Sequence, residues 1–277
     1  MLIAIFNCIL GKTNIVAVKR IKNWLLFPRL VNVSTVLREI RPVLRELHPL
    51  KIENELVRIG NSGDGGYLVP NDFHGIKVCL SIGSDQEWSF EKTLQDFYGI
   101  KSLILDAADK KPVGLTHMQT YIEGWLAPRA SHGRFTLEDL VLKLDQDTNL
   151  ILKMDIEGAE YANLLSTSIM VLKSFKIIIL EFHDFDQIWH EEFRRNFFIP
   201  TMRKILKEFD PVHFHPNNCA PFVKVGNLEF PKVFEMTFLR KGERNSILTR
   251  TLGIIPHSLD RPNVQGLPDQ SVDWIQI

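Results

Sequence analysis

The stretch Leu150-Ile-Leu-Lys-Met-Asp-Ile-Glu-Gly-Ala-Glu160 decides the fold class. Its first five residues form a short, largely apolar run, which is typical of a strand buried within a parallel sheet. Two acidic residues and Gly158 then interrupt the run, and a helical pattern follows over residues 159–165. A buried strand, a polar turn and a helix in this order form the repeating unit of α/β proteins. The stretch therefore predicts a parallel sheet with a polar edge beginning at Asp155.

The same alternation continues on both sides of this stretch. Strands are predicted at residues 77–82, 102–105, 150–154, 176–181, 212–215 and 233–239. Helices are predicted at residues 89–98, 137–144, 159–165 and 191–209, the last with a bend near Pro200. No helix separates the last two strands, so we expect them to pair antiparallel. The sequence thus predicts a mostly parallel sheet with helices on both faces and an antiparallel strand towards its end.

The 277 residues divide into a main domain and two flanking segments. Residues 1–50 are interpreted as an N-terminal helical extension that contains a helix at about 34–48. Residues 51–240 form the α/β domain, which begins with a hairpin over residues 57–69 around a glycine-rich turn. Residues 241–277 are interpreted as an irregular C-terminal tail, because Pro256, Pro262 and Pro268 interrupt any regular pattern.

Charge and cysteine content narrow the class of protein. The 33 Lys and Arg residues balance the 33 Asp and Glu residues, so no overall field attracts nucleic acid. We therefore expect a small-molecule or glycan partner. Cys8, Cys79 and Cys219 are widely spaced and odd in number, which supports neither a disulfide framework nor a zinc site and favours the cytoplasm.

The N-terminal apolar run is too short to cross a membrane, since residues 1–10 fall well below the roughly 20 that a spanning helix needs. Basic residues follow the run instead of preceding it, which argues against a secretory signal. Trp24 to Phe27 lie beside these basic residues, and they could contact a membrane surface or pack on the protein. The sequence leaves the oligomeric state open.

Two candidate ligand contacts follow the first two strands of the sheet. Gly83 lies after the first strand, where a glycine lets the backbone approach a ligand. Asp106 closes the second strand about 20 residues later, which is the spacing of an acid that accepts hydrogen bonds from a ribose diol. The alternative for Asp106 is that it caps the next helix.

Acids and a histidine follow the next two strands. Asp155 and Glu157 could bind an amine or hydroxyl, hold a metal, or cap helix amides. Glu181 and His183 are two residues apart, so their side chains share one face of a strand. His183 could remove the proton of a bound hydroxyl, or it could be a hydrogen-bonded structural histidine.

The stretch His213-Phe-His-Pro-Asn-Asn218 offers further polar groups. His213 and His215 share one strand face and could ligate a metal with Asp155 or Glu181, but the spacing fixes no third ligand. Hydrogen bonding to a polyhydroxylated substrate suits His213, His215 and Asn217 better. No metal site is therefore predicted, and a divalent ion stays an alternative.

Several motifs resemble those of FkbM-type methyltransferases and a related methyltransferase-like branch. The central one is Leu152-Lys-Met-Asp-Ile-Glu-Gly-Ala-Glu160 with Ile179-Leu-Glu-Phe-His183. The others are Val57-Arg-Ile-Gly60, Asp64-Gly-Gly-Tyr67, Leu80-Ser-Ile-Gly-Ser-Asp85, Ser89-Phe-Glu91 and His213-Phe-His-Pro-Asn-Asn218. Together these motifs span about residues 57 to 240.

This resemblance implies a class I methyltransferase fold with a seven-stranded Rossmann-like sheet and S-adenosylmethionine as the methyl donor. It also implies O-methylation of a sugar, glycan or natural-product hydroxyl. On this basis the cofactor contacts are Ser81, Gly83, Asp85, Asp106 and Asp155. The resemblance also places Asp155 to Glu157 at the methyl-transfer site. Because an alcohol needs a base, we add His183 to Asp155 and Glu157 as predicted catalytic residues, and the hydrogen-bonding groups of Glu181, His213, His215 and Asn217 are the predicted substrate contacts.

Two other functions remain open at this stage. A nicotinamide-dependent oxidoreductase would share the sheet and the ribose acid, although its glycine pattern after the first strand is fuller than Ser81-Ile-Gly83. A binding protein could also retain the methyltransferase fold without its chemistry.

Overall fold

The computed structural model describes residues 32–53, 55–107, 113–144, 149–225, 228–243, 253 and 255–269. The predictions for the N-terminal run and for Trp24 to Phe27 lie outside these residues. The strands are β1 (Leu56–Ile59), β2 (Tyr67–Pro70), β3 (Ile76–Ile82), β4 (Lys101–Asp106), β5 (Gln119–Glu123), β6 (Trp125–Leu126), β7 (Arg134–Phe135), β8 (Asn149–Met154), β9 (Phe175–Phe182), β10 (Phe209–Pro216), β11 (Val223–Val225), β12 (Leu228–Phe230) and β13 (Phe234–Arg240). The α-helices are α1 (Val33–Glu46), α2 (Ser89–Tyr98), α3 (Leu137–Val141), α4 (Glu160–Ser166), α5 (Ile169–Leu172), α6 (Glu191–Phe193) and α7 (Ile199–Glu208).

Seven strands form one sheet in the order β10-β13-β9-β8-β3-β4-β5. The strands β5, β4, β3, β8 and β9 are parallel, and β13 runs antiparallel to both β9 and β10. The predicted fold class, a mostly parallel seven-stranded α/β sheet with an antiparallel strand, is confirmed. Strand β5 was not predicted, because its polar residues and partial exposure leave no continuous apolar run.

The central strands follow directly from their sequence. All eight residues of β9 are buried, and β8 is buried from Leu150 to Met154. Each strand is therefore covered on both faces, which explains why both appear as continuous apolar runs instead of alternating patterns. Because β8 and β9 are neighbours in the sheet, the polar residues that follow them end at the same edge.

The helices differ from their predicted form at two places. Helix α1 is capped by Asn32, whose side chain accepts a hydrogen bond from the Thr35 amide at 3.2 Å, so the helix begins one residue before the predicted position 34. The helix predicted over 191–209 contains a π-helical turn, Arg194–Phe198, immediately before Pro200. Proline lacks an amide hydrogen, so the hydrogen-bond ladder must change where it enters.

The number and spacing of the cysteines did not indicate a disulfide, but the structure differs from this expectation at Cys219. Cys79 is buried with a free thiol, whereas Cys219 is disulfide-bonded. Within the described part of the chain, no helix has both the length and the apolar character to cross a membrane.

Candidate active site

The carboxyl ends of β3, β4, β8 and β9 meet at one edge of the sheet, where α/β proteins bind their ligands. Backbone strain concentrates there. Among the described residues, the non-glycine residues with positive φ are Asp85, Gln86, Glu157 and Asp184, and all lie in the loops that follow β3, β8 and β9. Strained backbone of this kind persists where the surrounding structure enforces it, and it clusters at functional sites.

Position 83 must be a glycine because the backbone of Asp155 passes too close for a side chain. The φ of Gly83 is +75°, and a Cβ built there would lie 1.7 Å from the Asp155 carbonyl oxygen. The buried Lys153 ammonium donates to the Gly83 carbonyl at 3.1 Å. The glycine expected to approach a ligand therefore brings the loop after β3 against the turn after β8.

Asp106 lies against the same loop. Its Oδ2 accepts hydrogen bonds from the amides of Ser84 at 2.6 Å and Asp85 at 2.8 Å. Asp85 itself is exposed, whereas Ser81 is fully buried and donates its hydroxyl proton to Glu91. Of the predicted cofactor contacts, Gly83, Asp85, Asp106 and Asp155 are thus brought to the edge, and the Ser81 hydroxyl points into the core.

Glu160 organises the turn after β8. Its fully buried Oε1 accepts hydrogen bonds from the amides of Ile156 at 3.0 Å and Gly158 at 3.2 Å, and it contacts His183 Nδ1 at 3.1 Å. Sequence analysis missed this role for Glu160. Glu160 lies in the first turn of α4, where the backbone amides of the preceding turn need an acceptor. This position is the signal from which its role could have been predicted.

His183 is surrounded by carboxylates, and together they form what we call the His183 cluster: Asp155, Glu157, Glu160, Glu181 and His183. Its Nε2 lies 3.8 Å from Asp155 Oδ1, 3.5 Å from Glu157 Oε2 and 3.8 Å from Glu181 Oε1. The structure therefore brings the three predicted catalytic residues together with one predicted substrate contact.

The cluster perturbs the ionisation of its members. Removal from water raises the pKa of Asp155 to about 7, against the opposing effect of His183. Burial, and then the charge of Asp155, raise the pKa of Glu181 well above its usual range. Burial alone would lower the pKa of His183, but the carboxylates of Glu160, Asp155 and Glu157 raise it well above the ordinary value. Perturbed groups gathered at one place in a structure mark a candidate functional site.

Asn217 holds Glu181 in place. Its side-chain amide donates to Glu181 Oε1 at 2.9 Å, and its own oxygen accepts from the Cys219 amide at 2.8 Å. The other oxygen of Glu181, Oε2, is buried without a hydrogen-bond partner among the described residues. Asn217 and Glu181, both predicted to contact substrate, are therefore hydrogen-bonded to each other.

His213 and His215 belong to a second group, the His213/His215 cluster, which consists of His213, His215, Glu235, Asp260 and Asp269. His213 Nε2 lies 2.8 Å from Asp260 Oδ1, and His215 lies 2.9 Å from Asp269 Oδ1 and 3.3 Å from Glu235 Oε2. Both histidine residues are at least 97% buried. They attach residues 255–269, which contain no helix or strand, to the sheet, so their ring nitrogens face protein carboxylates and not an open cleft.

The solved structures that are similar to this chain include two methyltransferases. A precorrin-6y C5,15-methyltransferase from Geobacter metallireducens is 11% identical, with 73% of this chain and 88% of that chain covered and a TM-score of 0.32. A 30S ribosomal A1408 methyltransferase from an uncultured bacterium is 12% identical, with 66% and 100% covered and a TM-score of 0.31. No protein-family model and no curated protein matches the sequence, so the resemblance to FkbM-type methyltransferases stays a prediction.

Proposed function

We propose that this chain is an S-adenosylmethionine-dependent methyltransferase that methylates a hydroxyl group of a sugar, a glycan or a small natural product. One observation carries the proposal: the His183 cluster lies at the carboxyl edge of a seven-stranded sheet, against the loop that contains Gly83. The sheet has the mostly parallel arrangement with an antiparallel strand that the methyltransferase resemblance implied.

In this proposal the first two loops bind the cofactor and the next two bind the acceptor. The loop at Gly83 and Asp85 and the carboxylate of Asp106 contact S-adenosylmethionine, with Asp106 directed to the ribose. Asp155 adjoins the Gly83 backbone, so it lies between the cofactor and the acceptor. Glu157, Glu181 and His183 then surround the acceptor hydroxyl, and Asn217 orients Glu181.

The reaction needs alignment and one proton acceptor. The acceptor oxygen forms a bond to the methyl carbon as the carbon–sulfur bond breaks, and the positively charged sulfonium becomes a neutral thioether. The hydroxyl proton passes to the His183 cluster, which supplies an imidazole with three carboxylates within 3.8 Å of its Nε2. Holding the three atoms in line accounts for much of the rate of such a transfer.

The character of the acceptor is inferred from charge. The chain has a formal net charge of zero, and the His183 cluster is acidic, so a polyanionic nucleic acid is disfavoured at this edge. A neutral, hydroxyl-rich molecule suits carboxylate, imidazole and amide groups, which all exchange hydrogen bonds with hydroxyls.

The proposal is tested by incubating the purified chain with S-adenosylmethionine and a panel of sugar, glycan and phenolic acceptors, and screening products by mass spectrometry. We expect a gain of one methyl group on one acceptor class. Calorimetric titration with S-adenosylmethionine, its demethylated product and NAD accompanies the screen. Binding of NAD alone would contradict the proposal in favour of an oxidoreductase, and cofactor binding without methyl transfer to any acceptor would favour a binding protein.

A further inference from the structure

We propose that Asp155, Glu181 and His183 bind a divalent cation. One ligand atom from each residue can be chosen so that all three lie within 4.8 Å of one another. Two ligands of one ion are about 3.0 Å apart in cis positions and about 4.2 Å apart in trans positions when the bonds are about 2.1 Å long. The 3.8 Å distances from His183 Nε2 to Asp155 and Glu181 fall in this interval and are too long for hydrogen bonds.

The imidazole of His183 is oriented as a metal ligand would be. Glu160 Oε1 accepts from the amides of Ile156 and Gly158 and lies 3.1 Å from His183 Nδ1, so it is placed to accept the Nδ1 proton as well. Nε2 then faces the carboxylates of Asp155, Glu157 and Glu181, and it can ligate an ion that displaces its proton. A histidine whose second nitrogen donates to a carboxylate is the usual arrangement around protein-bound metals.

Within the part of the chain that the structure describes, the buried acids of the cluster share one imidazole. Asp155, Glu160 and Glu181 all contact His183, and the nearby ammonium of Lys153 is directed to the Gly83 carbonyl and Glu91. Glu181 provides an independent indication, since its Oε2 is buried without a hydrogen-bond partner in the described part of the chain. An unpartnered buried carboxylate oxygen is costly unless it meets a proton or a cation.

The ligand set favours an ion of the Mn²⁺ type. Carboxylate oxygens suit Mg²⁺ and Mn²⁺, and the imidazole nitrogen shifts the preference towards a first-row metal. Glu157 is half exposed and 3.5 Å from His183 Nε2, so it lies on the open side, where water or an acceptor hydroxyl completes the coordination.

The catalytic use of this site rests on the proposed function, whereas ion binding does not. A bound cation lowers the pKa of a hydroxyl that it contacts. The hydroxyl proton then passes to Glu157, the oxygen bonds to the methyl carbon, and the carbon–sulfur bond breaks. His183 holds the ion in this scheme and is not the base.

The test is a titration of the EDTA-treated, dialysed full chain with Mn²⁺, followed by electron paramagnetic resonance of the free ion. We expect one Mn²⁺ per chain for the wild type. Glu181→Gln keeps the shape of the side chain and removes its charge, and it should weaken binding at least about 10-fold. Asn217→Ala, which removes the hydrogen bond to Glu181, should weaken it about 10-fold.

Two matched controls lie away from the site. His48→Gln removes a buried histidine bonded to the Pro49 carbonyl, and Asp96→Asn removes an exposed acid paired with Lys92. Both should bind Mn²⁺ as the wild type does. No stoichiometric binding by the wild type, or unchanged binding by Glu181→Gln, would overturn the proposal.

Spin-echo spectroscopy of Mn²⁺ bound to the wild type removes any dependence on how well a variant folds. Coupling to an imidazole ¹⁴N is expected, and its absence in a stoichiometric complex contradicts ligation by His183. Mn²⁺ binding with this coupling but without methyl transfer supports the site and refutes the proposed function. Methyl transfer that persists after EDTA treatment, in a chain that binds no Mn²⁺, supports the proposed function and refutes the cation site.

Discussion

Two histidine-centred clusters lie side by side on this sheet, and they differ in how completely their polar atoms are paired. Strand β13 separates them, since Glu235 is in register with Glu181 on one side and with His215 on the other. In the His213/His215 cluster each imidazole–carboxylate contact is between 2.8 and 3.3 Å. In the His183 cluster three of the four such contacts are 3.5 Å or longer.

The backbone follows the same division. His213 and His215 are held within strand β10, where both pair with β13 beyond a register shift between Pro211 and His213, whereas Glu157 has a φ of 56° and Asp184, next to His183, has a φ of 58°. The same residue types therefore form a closed group that fastens one segment to another, and an open group on strained turns. The difference teaches that unmet contacts, and not the presence of histidines and acids, distinguish the candidate active site.

The largest expected effect is on turnover, in His183→Gln. This change removes the imidazole from the middle of the His183 cluster, and we expect kcat with the acceptor found in the screen to fall about 10²- to 10⁴-fold. The dissociation constant for S-adenosylmethionine, measured by calorimetry, should change little. His48→Gln is the control. If kcat stays within a few-fold of the wild type, His183 has no catalytic role. The open geometry of the His183 cluster would then not distinguish an active site from the His213/His215 cluster.

Gly83→Ala tests whether the His183 cluster depends on the close approach of two loops. The new Cβ would overlap the Asp155 carbonyl, so the unfolding free energy should fall by about 4 kcal/mol in urea titrations, as strain and displacement combine. Gly133→Ala is a matched control, since its φ is +67° but nothing lies within 4 Å of the added atom, and about 1 kcal/mol is expected. Equal losses in the two variants would show that the contact with Asp155 does not matter.

His213→Gln tests how much the His213/His215 cluster contributes to the unfolding free energy. It leaves the buried carboxylate of Asp260 without its imidazole partner, and breaking a buried pair in this way costs about 3 kcal/mol of unfolding free energy. The exposed His117 provides a control, because His117→Gln should stay within about 0.5 kcal/mol of the wild type. A similarly small loss in His213→Gln would remove the structural role assigned to the second cluster.

The sheet could be predicted from the sequence because β8 and β9 are buried on both faces and therefore consist of continuous, largely apolar runs. The same physics placed Asp155 and His183 at the ends of two buried strands, and the structure shows that these strands are parallel neighbours. Strand β5 escaped prediction because it lies at the edge of the sheet and keeps polar residues. Edge strands give weak signals of this kind.

The partners within each cluster could not be predicted, because they depend on long-range contacts. Nothing local to His213 and His215 indicates that Asp260 and Asp269, more than 45 residues later, would occupy their ring nitrogens. Their hydrogen-bonding chemistry led us to predict substrate contacts for those histidines, and the structure gives them partners in residues 255–269. Glu160 was overlooked because an acid in the first turn of a helix usually serves only its amides.

The smallest expected effect is the change in unfolding free energy per pH unit that is due to His215 in the His213/His215 cluster. Burial alone would lower the pKa of His215, but Asp269 and Glu235 raise it to about 10, with Asp260 adding to their effect and His213 stacked beside it. An unfolded histidine has a pKa of about 6.5, so this contribution to stability is full below that pH and is lost as the pH rises towards 10. Urea unfolding should therefore show wild type losing up to about 1.4 kcal/mol per pH unit relative to His215→Gln across this window. A constant difference between the two proteins would mean that His215 is neutral in the folded state. Its hydrogen bonds to Glu235 and Asp269 would then no longer set the closed cluster apart from the open one.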